Sequence, residues 1–374
     1  MMADENMVFR SSKNYTLGVE IEFQIIDQND YSLVPLGPKL QDLAPDLLQS
    51  RISQELIKSI LEIQTGICRN VRDVENDLLR TCSLAEELAA DNGCFLYAAS
   101  LHPFARAEEQ ERSNDTRYQS ILNELQIIAR RFISQGLHIH VGVPNGETAV
   151  RVCNTIQAFL PVFLALSASS PYFQGEDTGL MSYRTKLFEA LPLAGVYEFM
   201  RDWHHFTEDV ETLKTHGIIK GVRDLWWDTR PSPQFGTIEV RICDLPSRFR
   251  DILAIVSFIQ AVVAWIVEED VVTPRLNPYI IRANKWQALR HGISGRFVDP
   301  TKLLADTGVT FGSAVEHLLA RVSRYGDKLN SLSYLNEVNK IISEGTGADK
   351  QRSIYQETGD FKEVVRISHQ GFWT

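Results

Sequence analysis

The sequence predicts an α+β protein, an antiparallel sheet with helices packed on one of its faces. Three observations carry this. Several short segments alternate between a strongly apolar face and a polar one. The longest uncharged stretch, Ile252 to Val267, reads as a buried helix. Beyond Arg250 the chain turns almost wholly helical.

Tyr15 to Asp27 alternates as a strand, with Val19, Ile21, Phe23 and Ile25 facing one way and Glu20, Glu22 and Gln24 the other. Ile60 to Thr65 is a second short strand, stopped by Gly66. Asp73 is positioned to cap a helix running to Asn92-Gly93, and Phe95 to Leu101 is a strand. An amphipathic helix is expected over Thr116 to Gln135, ending at Gly136. Leu137 to Val143 alternates again and closes on Pro144-Asn145-Gly146. Thr148 to about Ala168 is an apolar helix that Pro161 should kink. Pro171 to Arg184 is loop-like and polar, and Arg230-Pro231-Ser232-Pro233 reads as a breaker-rich run before a strand at Thr237 to Asp244. Helices are expected near Ser313 to Tyr325 and Lys328 to Ser343.

A hydrophobic share of 44% and a charged share of 23% suit a globular protein with a sizeable core. The net charge of −10 argues against a nucleic-acid or anionic-membrane partner, which needs clustered positive charge. Five widely spaced cysteines form no C-x-x-C pair, so neither a disulfide framework nor a Cys-rich zinc site is expected. Met1 to Lys13 is polar and acidic and lacks the apolar core of a signal peptide. Ile252 to Val267 falls short of a membrane span. The expected compartment is the cytoplasm, with homo-oligomers common for enzymes there.

The informative pattern is shared by several strands. Both carboxylates of Glu20-Ile21-Glu22 point one way, as do both imidazoles of His138-Ile139-His140. Glu239 and Arg241 share a face, and so do Glu62 and Gln64. Any one such row is what a half-buried antiparallel strand turns to water. The set departs from that: the residues are Glu, His and Arg, with hardly a Lys, Ser or Thr, and they come from four segments of one sheet. Two carboxylates about 4 Å apart repel by about 4 kcal/mol at an effective dielectric near 20. Such a cluster needs cations, and hard oxygen donors with one imidazole suit Mg²⁺ or Mn²⁺. Two imidazoles on one strand also suit zinc, which leaves a zinc amidohydrolase built on His138 and His140 open. No G-x-x-x-x-G-K-[ST] run is present, so an ATP site would hold its phosphates through metals and arginines. Arg117, Tyr183 and Arg184, in or beside polar loops, are candidates to hold a substrate carboxylate by bidentate contact. Trp226 and Trp227 are read as core.

Leu17 to Phe23, Leu61 to Gly66, His102-Pro103, Arg117-Tyr118, Gly136 to Gly142, Ser169-Ser170-Pro171 and Trp226 to Asp244 together resemble the carboxylate–amine ligase family, also called glutamate–cysteine ligase type 2. The resemblance runs in order from about residue 15 to residue 270 and weakens beyond. It implies a glutamine-synthetase-like catalytic fold: a curved antiparallel sheet, helices on its convex face, and a concave polar face that holds divalent ions and ATP. One catalytic domain over 1–374 is expected, with a sheet-bearing core at 15–270 and a mainly helical part at 271–374.

Position by position, the resemblance places Glu20, Glu22, Glu62, His138 and Glu239 at metal-binding positions, with Glu55 at a further acidic one. Arg241 matches the arginine facing the transferred phosphoryl group, assisted by Arg230. Relatives often carry an acidic residue where this chain has Lys58. The implied activity is ATP- and Mg²⁺- (or Mn²⁺-) dependent amide formation from amino-acid substrates through an acyl phosphate. A guanidino-kinase-like phosphotransferase on the same sheet stays open as an alternative, as does a binding protein without turnover, against which the near-complete Glu, His and Arg set argues.

Overall fold

The computed structural model describes residues 7–373. Residues 1–6, part of the polar terminus read above, and Thr374 lie outside the described residues. Among the described residues, seven strands form one antiparallel sheet. They are β1 (Leu17–Asp27), β2 (Ile52–Gln54), β3 (Ile60–Gln64), β4 (Cys94–Tyr97), β5 (Leu137–Gly142), β8 (Thr229–Ser232) and β9 (Thr237–Val240). Their order is β2–β3–β1–β5–β9–β8, with β4 beside the far end of β1. Two small ribbons lie apart from it, β6 (Tyr172–Phe173) with β7 (Glu176–Asp177) and β10 (Arg296–Phe297) with β11 (Val309–Thr310).

Alternation on β1 puts Leu17, Val19, Ile21, Phe23 and Ile25 on the core side, none more than 2% exposed. Each such full burial contributes about 1.5–3 kcal/mol. Over this face pack α3 (Val71–Ala90), α6 (Gly146–Ile156) and α10 (Phe249–Glu268). In α10 a Gln260 amide donates to Tyr15 O at 2.7 Å, so the helix is tied to the foot of β1 as well as packed under it. α10 is long and apolar enough to cross a membrane, yet 89% of its apolar window is buried inside the protein, which makes it the core helix. The connecting and C-terminal helices are α1 (Gly37–Leu43), α2 (Asp46–Gln49), α4 (Thr116–Leu125), α5 (Ile127–Arg131), α7 (Leu160–Ser167), α8 (Arg184–Glu189) and α9 (Trp203–Thr215), then α11 (Pro278–His291), α12 (Phe311–Lys328), α13 (Leu332–Glu344), α14 (Gly347–Thr358) and α15 (Phe361–Gln370).

Several elements differ from expectation. Asn70, rather than Asp73, caps α3: its side chain accepts from Asp73 N at 2.9 Å, and Asp73 stands one turn inside. The helix expected over 116–135 is two helices, broken where Gln126 enters the left-handed region at φ 49°. Pro161 starts α7 instead of kinking one long helix, and the α6–α7 pair bends by 65°. The strand expected over 95–101 ends at Tyr97, and the one expected over 237–244 ends at Val240. The breaker-rich run at 230–233 forms most of β8, which is an edge strand, where a proline lacking its N–H is tolerated. Lys328 closes α12 rather than opening α13. The 171–184 loop holds the β6–β7 ribbon.

Candidate active site

The site follows from register. Across β2, β3 and β1 the antiparallel pairing sets Ser53, Glu62 and Glu22 side by side. Glu20 stands opposite His138 on β5. His140, Glu239 and Arg230 line up across β5, β9 and β8. Because side chains alternate, all of these emerge on the face away from the core.

Glu22, Glu62 and Glu55, the last from the turn after β2, bring carboxylate oxygens within 4.8 Å of one another. Local donors orient them: Ser53 Oγ donates to Glu62 Oε1 at 2.5 Å, Gly136 N to Glu22 Oε2 at 2.6 Å and Tyr118 OH to Glu55 Oε2 at 3.1 Å. Burial pushes Glu22 up to about 7, against the pull of Arg184 and Arg241. Burial, then the charges of Glu20 and Glu22, lifts Glu62 to about 7. Burial, with Glu62 and Glu22 adding to it, raises Glu55 well above the usual carboxylate range. Three acids in this state are mutually unfavourable, and a hard divalent cation would relieve them. Lys58 does not supply that charge, since it pairs with Glu111 at 3.0 Å.

A second trio is Glu20, His140 and Glu239, again within 4.8 Å. His138 Nδ1 lies 3.1 Å from Glu20 Oε2 and His140 Nε2 lies 3.5 Å from Glu20 Oε1. Burial would raise Glu20, but the two imidazole hydrogen bonds outweigh it and hold the carboxyl below its ordinary value. His140 Nδ1 is tied to Thr237 Oγ1 at 2.8 Å, so both its nitrogens are engaged. Among the described residues His138 Nε2 is buried with no partner, an orphan that a cation would satisfy. The oxygen and imidazole donors of the two trios therefore fit Mg²⁺ or Mn²⁺, and among the described residues no cysteine joins either trio.

Two arginines hold Glu239. Arg230 Nε donates to it at 2.7 Å and Arg241 Nη1 donates to its other oxygen. Burial alone would raise Glu239; Arg230 and then Arg241 pull it well below the carboxylate range. Arg230 Nη2 donates to Glu239 Oε1 at 3.3 Å and Nη1 to the carbonyls of Val222, Arg223 and Leu225 at 3.1, 3.0 and 2.8 Å, so its fork clamps Glu239 in place. Among the described residues Arg241 keeps a buried Nε without a partner. That leaves Arg241 the better placed of the two to add a donor to an anion.

The substrate candidates separate. Arg184 is buried and donates to Ile242 O and Arg241 O at 3.4 and 3.3 Å, with its Nε unpartnered. A Cβ at position 136 would stand 2.4 Å from Arg184 Nη2, so Arg184 lies directly against the backbone of Gly136, whose N–H holds Glu22. Tyr183 packs against Phe173 with ring centroids 5.0 Å apart. Arg117 is exposed on α4, over the ring of Tyr118, and does not reach the trios. Its neighbour Tyr118 does, through Glu55. Ser53, Tyr118 and Thr237 went unrecognised in the sequence; the Arg117-Tyr118 pair was the one available signal. Trp227 stacks on Tyr197 at 4.4 Å as core.

The family model of glutamate–cysteine ligase family 2 matches residues 16–367. A protein of Gloeobacter violaceus, provisionally named glutamate–cysteine ligase 2, is 37% identical over 371 residues, covering 98% of this chain and 99% of its own length. One of Solibacter usitatus with the same provisional name is 35% identical, covering 94% of this chain and 91% of its own. Among solved structures, the glutamate–cysteine ligase of Francisella tularensis, in complex with AMP, superposes with a TM-score of 0.67 at 14% identity, over 97% of this chain and 89% of that one. A bifunctional glutathione synthetase of Pasteurella multocida gives 0.70 at 13% identity, over 96% of this chain and 52% of that one. At these identities the two structures establish the fold.

Proposed function

Since the chain belongs to the glutamate–cysteine ligase family 2, and is thus an ATP-dependent carbon–nitrogen ligase, we propose that it makes an amide through an acyl phosphate, with glutamate as the carboxylate and cysteine as the amine. The observation that carries the reading is the pair of trios: Glu22, Glu55 and Glu62 beside Glu20, His140 and Glu239 on one polar sheet face. Two adjacent divalent sites suit the phosphate chain of ATP.

A carboxylate is a poor acyl donor because oxide is a poor leaving group. Phosphorylation by ATP gives it a good one, and the amine then displaces phosphate. Glu20, Glu22, Glu55, Glu62, His138 and Glu239 would hold Mg²⁺ or Mn²⁺, with His140 at the second trio as well. Cations held there supply charge neutralisation for the transferring phosphoryl group. Arg241 contributes its unpartnered Nε to the same anion, while Arg230 keeps Glu239 ionised and oriented. Arg184 backs Glu22 and the Arg241 backbone, and it is the substrate candidate nearest the reacting groups. One catalytic domain over 1–374 belongs to this reading, supported by Lys285 of α11, whose ammonium pairs with Asp228 just before β8 at 2.8 Å.

The test is ADP release across a panel of amino-acid pairs. Glutamate with cysteine should stimulate it most. Stimulation by a lone guanidino compound, with no need for a second organic substrate, would select the phosphotransferase instead.

A further inference from the structure

Residues 113–132 cross beside the carboxylate trio and are fastened at both ends. Ser113 N donates to Leu56 O at 2.9 Å, and Arg112 donates to Arg130 O at 2.6 Å next to the buried Ala129 and Ile133. Between these fastenings α4 buries none of its residues. Ile121, Leu122 and Leu125 are only half-buried, and beyond them Ile127 is 54% exposed. A helix with that much apolar side chain left near water gains little from its packing. Gln126, at φ 49°, separates α4 from α5 and gives the segment a joint. Among the described residues, the hydrogen bonds that leave 113–126 from α4 come from one hydroxyl: Tyr118 OH lies 3.1 Å from Glu55 Oε2 and 3.4 Å from Gln54 O.

We infer that Tyr118 is a positioning residue that latches α4 over the Glu22–Glu55–Glu62 trio, so that α4 is a lid whose closure is coupled to cation binding there. The inference rests on the divalent-cation reading of that trio. A carboxylate that binds a cation through one oxygen keeps the other for a hydrogen bond, and such outer partners fix the orientation of the ligand. Without a cation nothing shared by the three carboxyls draws Glu55 into place, and Tyr118 has a less fixed acceptor. With one, Glu55 is held still and Tyr118 has a preorganised partner. A closed lid would also serve the chemistry, since water competes with the amine for an acyl phosphate.

The lid is read by limited trypsin digestion of the full chain, following cleavage after the exposed Arg117, with cleavage after Arg282 on α11 as reference. Mn²⁺ binding is measured separately by calorimetry. Mn²⁺ should slow cleavage after Arg117 by about tenfold in wild type and leave Arg282 unchanged. Tyr118→Phe should keep its melting temperature, bind Mn²⁺ about tenfold more weakly, and lose the protection even when saturated. Mn²⁺ that binds wild type without slowing the cut after Arg117 overturns the latch and leaves the cation reading standing. Protection of Tyr118→Phe equal to wild type overturns it too. Wild type that binds no Mn²⁺ at all overturns both.

Discussion

Glu20 and His138 are partners in register on neighbouring strands, and His138 Nδ1 lies 3.1 Å from Glu20 Oε2 while its Nε2 stays buried and unpartnered. His140, two residues on, reaches the same carboxylate at 3.5 Å but has Thr237 on its other nitrogen. The two histidines are thus chemically unequal although they share a strand face.

His138→Ala should raise the Mn²⁺ concentration needed for half-maximal ADP release by about 10–100-fold, the usual cost of weakening a metal site. His140→Ala should lower the rate with a smaller change in metal requirement. A Mn²⁺ titration of both variants checks this. The reverse order would make His140 the stronger ligand of the two.

The carboxylate trio makes a pH prediction whose sign follows from its shifts. Glu22 and Glu62 are raised to about 7 in the folded chain, above an unfolded value of about 4.3. Between those values the folded state holds protons that the unfolded state has lost, so cation-free stability falls as pH rises through the window. Glu62→Gln removes one of the charges. It should melt higher than wild type at about pH 8 without cation, and match it below about pH 3, where wild-type Glu62 is protonated in both states. Mg²⁺ with nucleotide should stabilise wild type more than the variant. Thermal melting across pH reads all three; identical curves with identical gains from Mg²⁺ would remove the metal assignment of Glu62.

Lys285 is buried against Asp228 at 2.8 Å and Glu189 at 3.1 Å. Lys285→Met should destabilise the fold by about 3–5 kcal/mol, because it strands a buried carboxylate. Adding Asp228→Asn should recover part of that loss. Urea unfolding of the single and double variants tests the coupling, and additive losses would contradict it.

Much of this was legible in the residues and some was not, for physical reasons. β1 and β5 alternate over six residues or more, so the alternation alone assigns Glu20, Glu22 and His138 to one face. β2 has three residues, too few for a period, and with it went Ser53. β8 was hidden because Pro231 reads as a breaker, whereas an edge strand accepts it. Glu55 sits on no strand, so only the resemblance pointed to it and only the tertiary fold brings it to Glu62. That Arg230 has its donors filled by three carbonyls and Glu239 depends on where the 222–225 turn lies, which no local pattern encodes.

Arg241 differs from Arg230 in holding one buried donor in reserve. Arg241→Lys should depress turnover about 10²-fold or more, because a lysine cannot reproduce the planar fork on a transferring phosphoryl group. ATP affinity, measured by equilibrium binding, should weaken much less. Equal losses in both would make Arg241 a binding residue only.

The most direct test of the ligase chemistry is trapping with hydroxylamine. If an acyl phosphate forms, wild-type enzyme with ATP, Mg²⁺, glutamate and hydroxylamine in place of cysteine yields glutamyl hydroxamate, with ADP and phosphate released in equal amounts. Glu62→Gln and Arg241→Lys should both lose that product. The contradicting result is a panel of carboxylates that gives no hydroxamate while ADP accumulates with a phosphorylated guanidino compound.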